Sequence, residues 1–141
     1  MRKPGPFLFD AHNHLQLYGG LAELEKALSE AAAAGVTLMA CNGSFPGDWE
    51  AVAALSAGRP GIVPFFGVHP WFVEKAGPGW LEKLEGILTK TPSGVGETGL
   101  DRAKGAEPSR QEEIFRQHLR LAVKLGRPAS VHCVRAWGRM L

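Results

Sequence analysis

The stretch LAELEKALSEAAAAGVTLMAC, residues 21–41, predicts a helix that leads directly into a buried strand. Its first part, from Leu21 to Ala34, consists mainly of Ala, Leu and Glu, which are strong helix formers. Gly35 stands where helices commonly end, and the run from Val36 to Cys41 is rich in residues that favour strands. Because parallel strands need a crossover between them and a helix supplies it, a repeat of this unit predicts an α/β fold.

The same alternation of helix and strand continues on both sides of this stretch. Short apolar runs predict four further strands, at residues 7–9, 62–66, 92–96 and 128–134. The spacing of apolar residues predicts helices at residues 49–57, 80–89 and 109–125. We expect Asp48 to cap the first of these, and Ser109, three residues before Glu112, to cap the last. No linker interrupts the series, so one domain with five parallel strands is expected over residues 1–141.

The composition is that of a globular protein rather than a disordered or membrane protein. Of the 141 residues, 45% are hydrophobic and 21% are charged, and the formal net charge is +2. No apolar run approaches the ~18 residues that a membrane span requires, and the N-terminus lacks the apolar core of a signal peptide. Cys41 and Cys133 both lie in hydrophobic stretches, which indicates buried thiols rather than a disulfide. We therefore expect a soluble cytoplasmic protein with no membrane partner.

Four of the five histidines fall at or just after the predicted strands. His12 and His14 follow the first strand, His69 follows the third, and His132 lies in the fifth. The carboxyl ends of parallel strands meet at one edge of the sheet, so residues distant in sequence can converge there. Because His12 and His14 are two positions apart, both rings point to one side of an extended strand and can bind one cation or two adjacent ones. Asp10 is placed to orient the pair.

Glu97 and His132 extend this set of possible metal ligands. Glu97 lies in GETG, residues 96–99, where the glycines permit close backbone approach, and carboxylates bind hard or borderline divalent metals. His132 lies in an otherwise apolar strand, where an unpaired imidazole is costly. Each residue alone has an ordinary explanation, as a solvated loop glutamate or a hydrogen-bonded core histidine. Together with His12 and His14 they predict a metal site, whose mixed ligands suit Zn, Mn, Fe or, less well, Mg.

Four short motifs occur in order along the chain: DAHNH at residues 10–14, GVHP at 67–70, GETGLD at 96–101 and VHCVRA at 131–136. With these motifs the sequence resembles the TatD-type metal-dependent deoxyribonucleases. One such motif alone would be weak evidence, whereas four in the same order are specific. The resemblance extends over nearly all of the 141 residues.

The resemblance implies an amidohydrolase-like TIM barrel with one or two divalent metal ions, Zn, Mg or Mn. The metal ligands that it implies are His12, His14, Glu97 and His132. It further implies that Glu97 bridges the metals or binds one of them and takes part in catalysis, and that His69 and Arg135 contact the phosphate of the substrate. For Asp101 we expect a structural role in the loop that follows the fourth strand.

The chain departs from the family in its length. The resemblance implies a further metal-binding histidine after the sixth strand and an aspartate after the eighth. A chain of 141 residues accommodates about five of the eight strand–helix units of a TIM barrel, so we expect an incomplete barrel, the N-terminal part of the hydrolase. Such a chain would have weak or no activity alone, and its uncovered edges would favour self-association.

The implied function is hydrolysis of phosphodiester bonds by metal-activated water, with DNA or another phosphodiester as substrate. One alternative is an amidohydrolase-type enzyme that acts on a small substrate, because D-x-H-x-H strands also occur in such enzymes. Another is a non-catalytic binding module on an open five-stranded sheet. Against the latter, the sequence contains no GxxxxGK[ST] phosphate-binding loop.

Overall fold

Five parallel strands form one sheet in the computed structural model, which describes residues 7–140. The strands are β1 (Leu8–Asn13), β2 (Val36–Asn42), β3 (Ile62–Phe66), β4 (Gly94–Asp101) and β5 (Ala129–Val134). The helices are α1 (Leu21–Ala33), α2 (Trp49–Ala57), α3 (Trp80–Lys90), α4 (Pro108–Leu125) and α5 (Trp137–Met140), with 3-10 turns at Leu15–Leu17 and Pro70–Lys75. Strands and helices alternate along the chain, which confirms the predicted α/β class.

The order of the strands identifies the sheet as part of a barrel. Each strand pairs in parallel with the next one in sequence, in the order β1-β2-β3-β4-β5. An open doubly wound sheet reverses its strand order at a switch point, whereas a TIM barrel does not. The sheet also curves, because Nδ1 of His12 in β1 lies 2.8 Å from Oγ of Ser130 in β5. The five described strands are therefore an incomplete barrel of the TIM type, as predicted.

The boundary between α1 and β2 illustrates how the sequence sets these elements. The backbone N–H of Ala34 closes the last turn of α1 on the carbonyl of Glu30, and Gly35 then takes a φ of 94°. This left-handed conformation is strained for residues with a Cβ atom, so a glycine is suited to the position. The chain reverses at Gly35 and enters β2 at Val36, as the sequence predicted.

The main core lies between the sheet and the helices that cover it. Its large and almost completely buried side chains include Trp49, Phe66, Leu84, Leu88 and Ile114. Each such side chain contributes roughly 1.5–3 kcal/mol by leaving water. This packed layer holds the strands rigidly, so side chains at the carboxyl edge of the sheet have fixed positions.

One histidine belongs to this core rather than to the edge of the sheet. His118 of α4 is fully buried and stacks on Trp80, with ring centroids 4.9 Å apart. Its Nδ1 atom donates to the carbonyl of Ile114 at 2.7 Å, and its Nε2 atom accepts from the backbone N–H of Val68 at 3.0 Å. Burial lowers the pKa of His118 to about 4, so the ring is neutral at pH 7. His118 thereby ties α4 to the segment that leads from β3 to His69.

Of the two predicted helix caps, the one at Ser109 is wrong and the one at Asp48 is confirmed in position only. Pro108 begins α4, with Glu107 at the cap position, because the fixed φ and missing N–H of proline suit the first turn of a helix. Ser109 is thus inside the helix. Asp48 does precede α2, but its side chain makes no bond to that helix. Its carboxylate instead accepts the backbone N–H groups of Ser44 (2.9 Å) and Phe45 (3.4 Å), and so closes the loop after β2.

The fourth strand is longer than its apolar residues predicted. It spans all of Gly94–Asp101, so Glu97 and Asp101 lie within the strand rather than after it. A strand buried on both faces needs no alternation of polar and apolar residues, so its true length was not visible in the sequence. Of the two cysteines, Cys41 is buried as predicted and Cys133 is half-buried, and both are free thiols.

None of the helices within residues 7–140 combines the length and the apolar character that crossing a membrane would require.

Candidate metal centre

The carboxyl end of β1 carries the two histidines that the sequence predicted as a pair. His12 lies in β1 and His14 directly follows it, and their Nε2 atoms lie 3.3 Å apart. Asp10 accepts the backbone N–H of His12 with Oδ1 (3.1 Å) and the side-chain amide of Asn13 with Oδ2 (2.8 Å). Asp10 therefore orients the backbone of the pair rather than either ring.

Glu97 of β4 reaches histidines on two sides, one with each carboxylate oxygen. Its Oε2 atom lies 3.1 Å from Nε2 of His12 and 3.2 Å from Nε2 of His14. Its Oε1 atom lies 3.1 Å from Nδ1 of His132 in β5 and 3.7 Å from Nε2 of His69, which follows β3. Glu97 is only 6% exposed. A buried carboxylate thus lies between two pairs of imidazoles that come from three different segments of the chain.

Hydrogen bonds on the outer sides of two rings determine which nitrogen carries the proton. Nδ1 of His14 lies 2.8 Å from the backbone carbonyl oxygen of Asn42. A carbonyl oxygen only accepts, so Nδ1 is protonated and Nε2 of the neutral ring presents a lone pair to Glu97. In the same way Nε2 of His132 donates to Oδ2 of Asp101 at 3.0 Å, which leaves the lone pair of Nδ1 facing Glu97. Metal-binding histidines are commonly oriented by outer partners of this kind.

In His69 the nitrogen that faces His132 and Glu97 carries a proton rather than a free lone pair. Its Nδ1 atom accepts the backbone N–H of Trp71 at 3.1 Å, so the proton of the neutral ring lies on Nε2. That Nε2 atom lies 3.0 Å from Nδ1 of His132. Burial lowers the pKa of His69 to about 4, which keeps the ring neutral at pH 7. His69 therefore offers the site an N–H donor, which suits an anionic oxygen better than a metal ion.

The charge of Glu97 is stabilised by its imidazole neighbours. Burial by itself raises the pKa of Glu97, but hydrogen bonds from His12 and His14, which form when their Nε2 atoms carry a proton, outweigh it and hold the pKa well below its ordinary range. The hydrogen bond to Glu97 is also the main reason that the pKa of His14 is raised. Glu97 is thus an ionised carboxylate at neutral pH, as a metal ligand must be.

The donor atoms beside β1 fit a divalent cation. Nε2 of His12, Nε2 of His14 and Oε2 of Glu97 lie between 3.1 and 3.3 Å from one another. Ligand atoms that bind zinc tetrahedrally at about 2.0–2.1 Å are about 3.4 Å apart, close to this spacing. The Ser130 hydroxyl, 2.8 Å from Nδ1 of His12, can accept that proton and leave Nε2 free to bind. Without a proton or a cation between these atoms, the lone pairs of the two Nε2 atoms would face the negative charge of Glu97.

A second group of possible ligands lies on the other side of Glu97. Ligand atoms of His69, Glu97 and His132 fall within 4.8 Å of one another. Because His69 carries its proton on Nε2, the lone pairs available on this side come from Oε1 of Glu97 and Nδ1 of His132. The four residues predicted as metal ligands are therefore brought together, and His69 lies beside them.

Asp101 does more than the predicted structural role in a loop. Its Oδ1 atom accepts the backbone N–H groups of Ala103 (2.8 Å) and Lys104 (3.0 Å), which accounts for that structural role. Its Oδ2 atom accepts from Nε2 of His132 (3.0 Å) and from Nε1 of Trp71 (2.7 Å). Burial raises the pKa of Asp101, but the bonds from Trp71 and His132 outweigh it and lower the pKa to about 2. Asp101 therefore also orients His132.

Arg135 lies just beyond β5 at the same edge of the sheet. Its side chain is exposed, and its φ of 51° is uncommon for a residue other than glycine. Within residues 7–140 its guanidinium makes no ion pair, whereas Glu97 and Asp101 pair with histidines. The structure does not bring Arg135 into contact with Glu97 or the histidines, so its contact with a phosphate stays a prediction.

Three of the groups that orient these rings were not predicted from the sequence. They are the carbonyl of Asn42, the hydroxyl of Ser130 and the backbone N–H of Trp71. Weak signals existed, because Asn42 ends the second strand and Ser130 lies two positions before His132, on the same side of a strand. A backbone carbonyl, however, has no signature in a sequence.

Comparison with known proteins identifies a family and several relatives of this chain. The profile of the family described as TatD related DNase matches residues 9–141. The metal-dependent hydrolase YjjV of Escherichia coli K12, described as uncharacterized, is 29% identical over 136 residues. The 3'-5' ssDNA/RNA exonuclease TatD of Cronobacter sakazakii is 32% identical over 123 residues. The crystal structure of YjjV, described as a TatD homolog, superimposes with a TM-score of 0.85 at 28% identity.

These matches include most of the present chain but only about half of each relative. The YjjV alignment covers 93% of this chain and 52% of that protein, and the alignment to the Cronobacter enzyme covers 83% and 45%. The structural superposition covers 94% of this chain and 52% of the YjjV chain. The chain thus corresponds to about half the length of the proteins it matches.

Proposed function

The chain belongs to the TatD-related DNase family, and on this premise we propose that the protein is a metal-dependent phosphodiesterase that acts on nucleic acid. The observation that carries the proposal is the position of Glu97, whose two oxygens face two separate pairs of imidazoles at 3.1–3.7 Å. A relative named as a 3'-5' ssDNA/RNA exonuclease supports nucleic acid as the substrate, with DNA the first to test.

The proposed ligands divide into two groups that share Glu97. One metal would bind Nε2 of His12, Nε2 of His14 and Oε2 of Glu97, and a second would bind Oε1 of Glu97 and Nδ1 of His132. Zn and Mn suit these mixed ligands, and Mg suits them less well. A divalent cation held there would supply the Lewis acidity that activates water and neutralises charge on the phosphate. Asp101 and the carbonyl of Asn42 keep two of the rings in the tautomer that this binding requires.

The chain's own residues also supply contacts for a phosphate. The neutral ring of His69 carries a proton on Nε2, and that nitrogen lies 3.0 Å from Nδ1 of His132. It would donate a hydrogen bond to a non-bridging phosphate oxygen, where negative charge increases in the transition state. We propose that Arg135, exposed at the adjacent strand end, steadies the same phosphate as a second contact, and that this contact is cationic.

The 141-residue chain alone is proposed to turn over slowly. Side chains of His12 and His14 are 37% and 30% exposed, so the first metal position is open to water on one side. Catalytic metals depend on a complete and shaped set of ligands, and the relatives are about twice as long as this chain. With both edge strands uncovered, we expect low activity until the site is enclosed.

A second copy of the chain could enclose those edges. β1 and β5 are the outer strands of the described sheet. Phe9 in β1, Val131 in β5 and Phe7, which directly precedes β1, are exposed. Exposed apolar residues next to unpaired strand edges favour association. We propose concentration-dependent self-association, which sedimentation velocity over a hundredfold range of concentration would test. A single monomeric species throughout that range would contradict it.

Two free thiols suit a reducing compartment, so we also propose a cytoplasmic location.

The central experiment compares Glu97→Gln with the wild type. Metal binding is measured by calorimetry with Zn and Mn, and hydrolysis is measured on a 5'-labelled single-stranded oligonucleotide and on bis(p-nitrophenyl) phosphate. Glu97→Gln should lose metal binding at both positions and all metal-dependent hydrolysis. Glu30→Gln, an exposed change in α1 far from the histidines, is the matched control and should behave like the wild type.

Two results would overturn the proposal. Metal-dependent turnover of amide or lactone substrates, without phosphodiester cleavage, would favour the amidohydrolase-type alternative. Absence of tight metal binding in the wild type, or metal binding that survives Glu97→Gln, would favour a non-catalytic module with incidental histidines.

A further inference from the structure

An exposed tryptophan is held rigidly beside the candidate metal centre. Trp71 is 43% exposed, yet its Nε1 atom donates to Oδ2 of Asp101 at 2.7 Å. Its ring also meets the ring of His69 edge-on, with centroids 5.0 Å apart. An exposed side chain is usually mobile, whereas this indole is fixed by the same carboxylate that orients His132. Its position is therefore coupled to the geometry of the metal site.

Two phenylalanines continue this aromatic surface away from the metal centre. The ring of Phe72 lies 5.9 Å from that of His69, and the ring of Phe45 lies 5.4 Å from that of Phe72. Both phenylalanines are half-buried. Trp71, Phe72 and Phe45, which we name the aromatic rim, thus form a partly exposed aromatic surface that begins at the metal centre.

Two lysines lie over the faces of the aromatic rim. Nζ of Lys104 lies 4.0 Å from the centroid of Trp71. Nζ of Lys75 lies 4.9 Å from the centroid of Phe72 and 5.4 Å from that of Phe45. Both lysines are exposed, and neither forms an ion pair with a carboxylate in the described part of the chain. The rim therefore combines aromatic faces with positive charge that no neighbouring acid neutralises.

We propose that the aromatic rim binds single-stranded nucleic acid, with a base stacked on Trp71 and backbone phosphates on Lys75 and Lys104. This inference rests on the proposed function, since it places the nucleotide next to the phosphate at the metal centre. Aromatic stacking accepts any base, because every base has a π face, and lysines bind the backbone without regard to sequence. Within a duplex the bases are already stacked on one another, so the rim selects single strands.

Lys104 has a defined part in this binding. Its amine occupies the face of Trp71 on which a base would stack, and its cation–π contact holds the indole ready while the site is free. The lysine side chain is flexible, so the amine moves from the ring to a phosphate when a base arrives. The rim thereby exchanges one contact for two, a stacked base and a neutralised phosphate.

The test separates stacking from charge. The full chain, in EDTA to prevent hydrolysis, is titrated against a fluorescent ten-residue oligothymidylate and against an abasic oligomer with the same number of phosphates. Fluorescence anisotropy gives the two dissociation constants. The wild type should bind the oligothymidylate about tenfold or more tightly than the abasic oligomer, since stacking contributes about this much per base.

Substitutions test whether the tighter binding of the base-bearing oligomer comes from the aromatic rim. Trp71→Leu should bring the ratio of the two dissociation constants close to one, and Trp71→Phe should keep most of it because an aromatic face remains. Trp137→Leu, which removes the other exposed indole, should leave the ratio unchanged. Lys104→Ala should weaken binding of both oligomers and reduce the salt dependence by about 0.7 in log–log slope, whereas Lys90→Ala, at the far end of α3, should not.

Several outcomes would overturn the inference. They are equal affinity of the wild type for the two oligomers, equal affinity for duplex and single strand, and an equal loss of preference in Trp137→Leu and Trp71→Leu. These outcomes are distinguishable from failure of the proposed function. Bis(p-nitrophenyl) phosphate carries no nucleobase, so its hydrolysis does not depend on the rim. Metal-dependent hydrolysis of this substrate by a chain that binds both oligomers equally would reject the rim alone. Base preference without any metal-dependent turnover would reject the proposed phosphodiesterase alone.

Discussion

Oε1 of Glu97 lies 3.1 Å from Nδ1 of His132, although the two residues are 35 positions apart in sequence. The contact spans neighbouring strands, β4 and β5, and the other nitrogen of the His132 ring is bound to Asp101 of β4. One strand therefore supplies both the proposed partner of His132 in metal binding and the residue that orients its ring.

Asp101→Asn should weaken metal binding without removing a proposed ligand. An amide at this position can present its N–H₂ group to Nε2 of His132, which moves the ring proton to Nδ1 and blocks the lone pair that faces Glu97. Loss of an outer partner of this kind typically costs 10–100-fold in metal affinity. Calorimetric titration with Zn checks the value, and Glu107→Gln, an exposed change at the start of α4, is the control. Unchanged affinity would mean that Asp101 serves the loop alone.

His69→Gln should reduce turnover but leave metal affinity within about threefold of the wild type. The physical reason is that Nε2 of His69 is protonated, so it donates to an anion and does not ligate. Loss of one hydrogen bond to developing charge commonly costs about 10²–10³ in kcat. Calorimetry and steady-state kinetics on bis(p-nitrophenyl) phosphate measure the two quantities separately. A loss of metal affinity as large as that of Glu97→Gln would instead make His69 a ligand.

Removal of bound metal should lower the thermal stability of the wild type. A ligand that binds only the folded state at a hundred times its dissociation constant stabilises it by about 3 kcal/mol. We expect the midpoint of thermal unfolding, followed by circular dichroism, to rise with added Zn and to return to its starting value with EDTA. Glu97→Gln should show no such shift. A shift of the same size in that variant would indicate binding elsewhere on the chain.

His118 should contribute to loss of stability in mild acid. Its pKa is about 4 in the folded chain and about 6.5 when unfolded, so between these values the unfolded state binds more protons. The stability that this neutral ring provides is complete above pH 6.5 and is lost as the pH falls towards 4, by up to about 3 kcal/mol.

The comparison that isolates His118 uses His118→Gln, which cannot titrate in this range. The difference in free energy of urea unfolding between wild type and variant should narrow as the pH is lowered from 7 to 4, because other groups such as His69 titrate equally in both proteins. A difference that stays constant across this range would contradict the assignment.

Leu84→Ala should destabilise the fold through the core rather than through the metal site. Leu84 of α3 is fully buried, and truncation of a leucine in such a position usually costs 2–5 kcal/mol. Leu119→Ala on α4, where the leucine is 37% exposed, should cost clearly less. Urea unfolding at pH 7 measures both. Equal losses would mean that the exposed leucine is covered in solution, as self-association would do.

The sequence predicted the elements well where local physics decides them. The helix–glycine–strand unit around Gly35 lies where propensity and the left-handed conformation place it, and all five strands are present. The sequence predicted the elements less reliably where residues from neighbouring segments decide their bounds. Ser109 matched a capping pattern, but Pro108 begins the helix one residue earlier, and β4 extends through Glu97 because its pairing with β5 continues beyond its apolar residues.

The sequence by itself determined which residue types stand at the strand ends, and hence that His12, His14, Glu97 and His132 would share one edge of a parallel sheet. It could do so because strand periodicity and the common direction of parallel strands are local rules. Only the tertiary structure decided the role of each ring. The proton positions of His14, His69 and His132 depend on a carbonyl, a backbone N–H and a carboxylate that folding brings from other segments. Such partners are set by distances in space, which no pattern along the chain records.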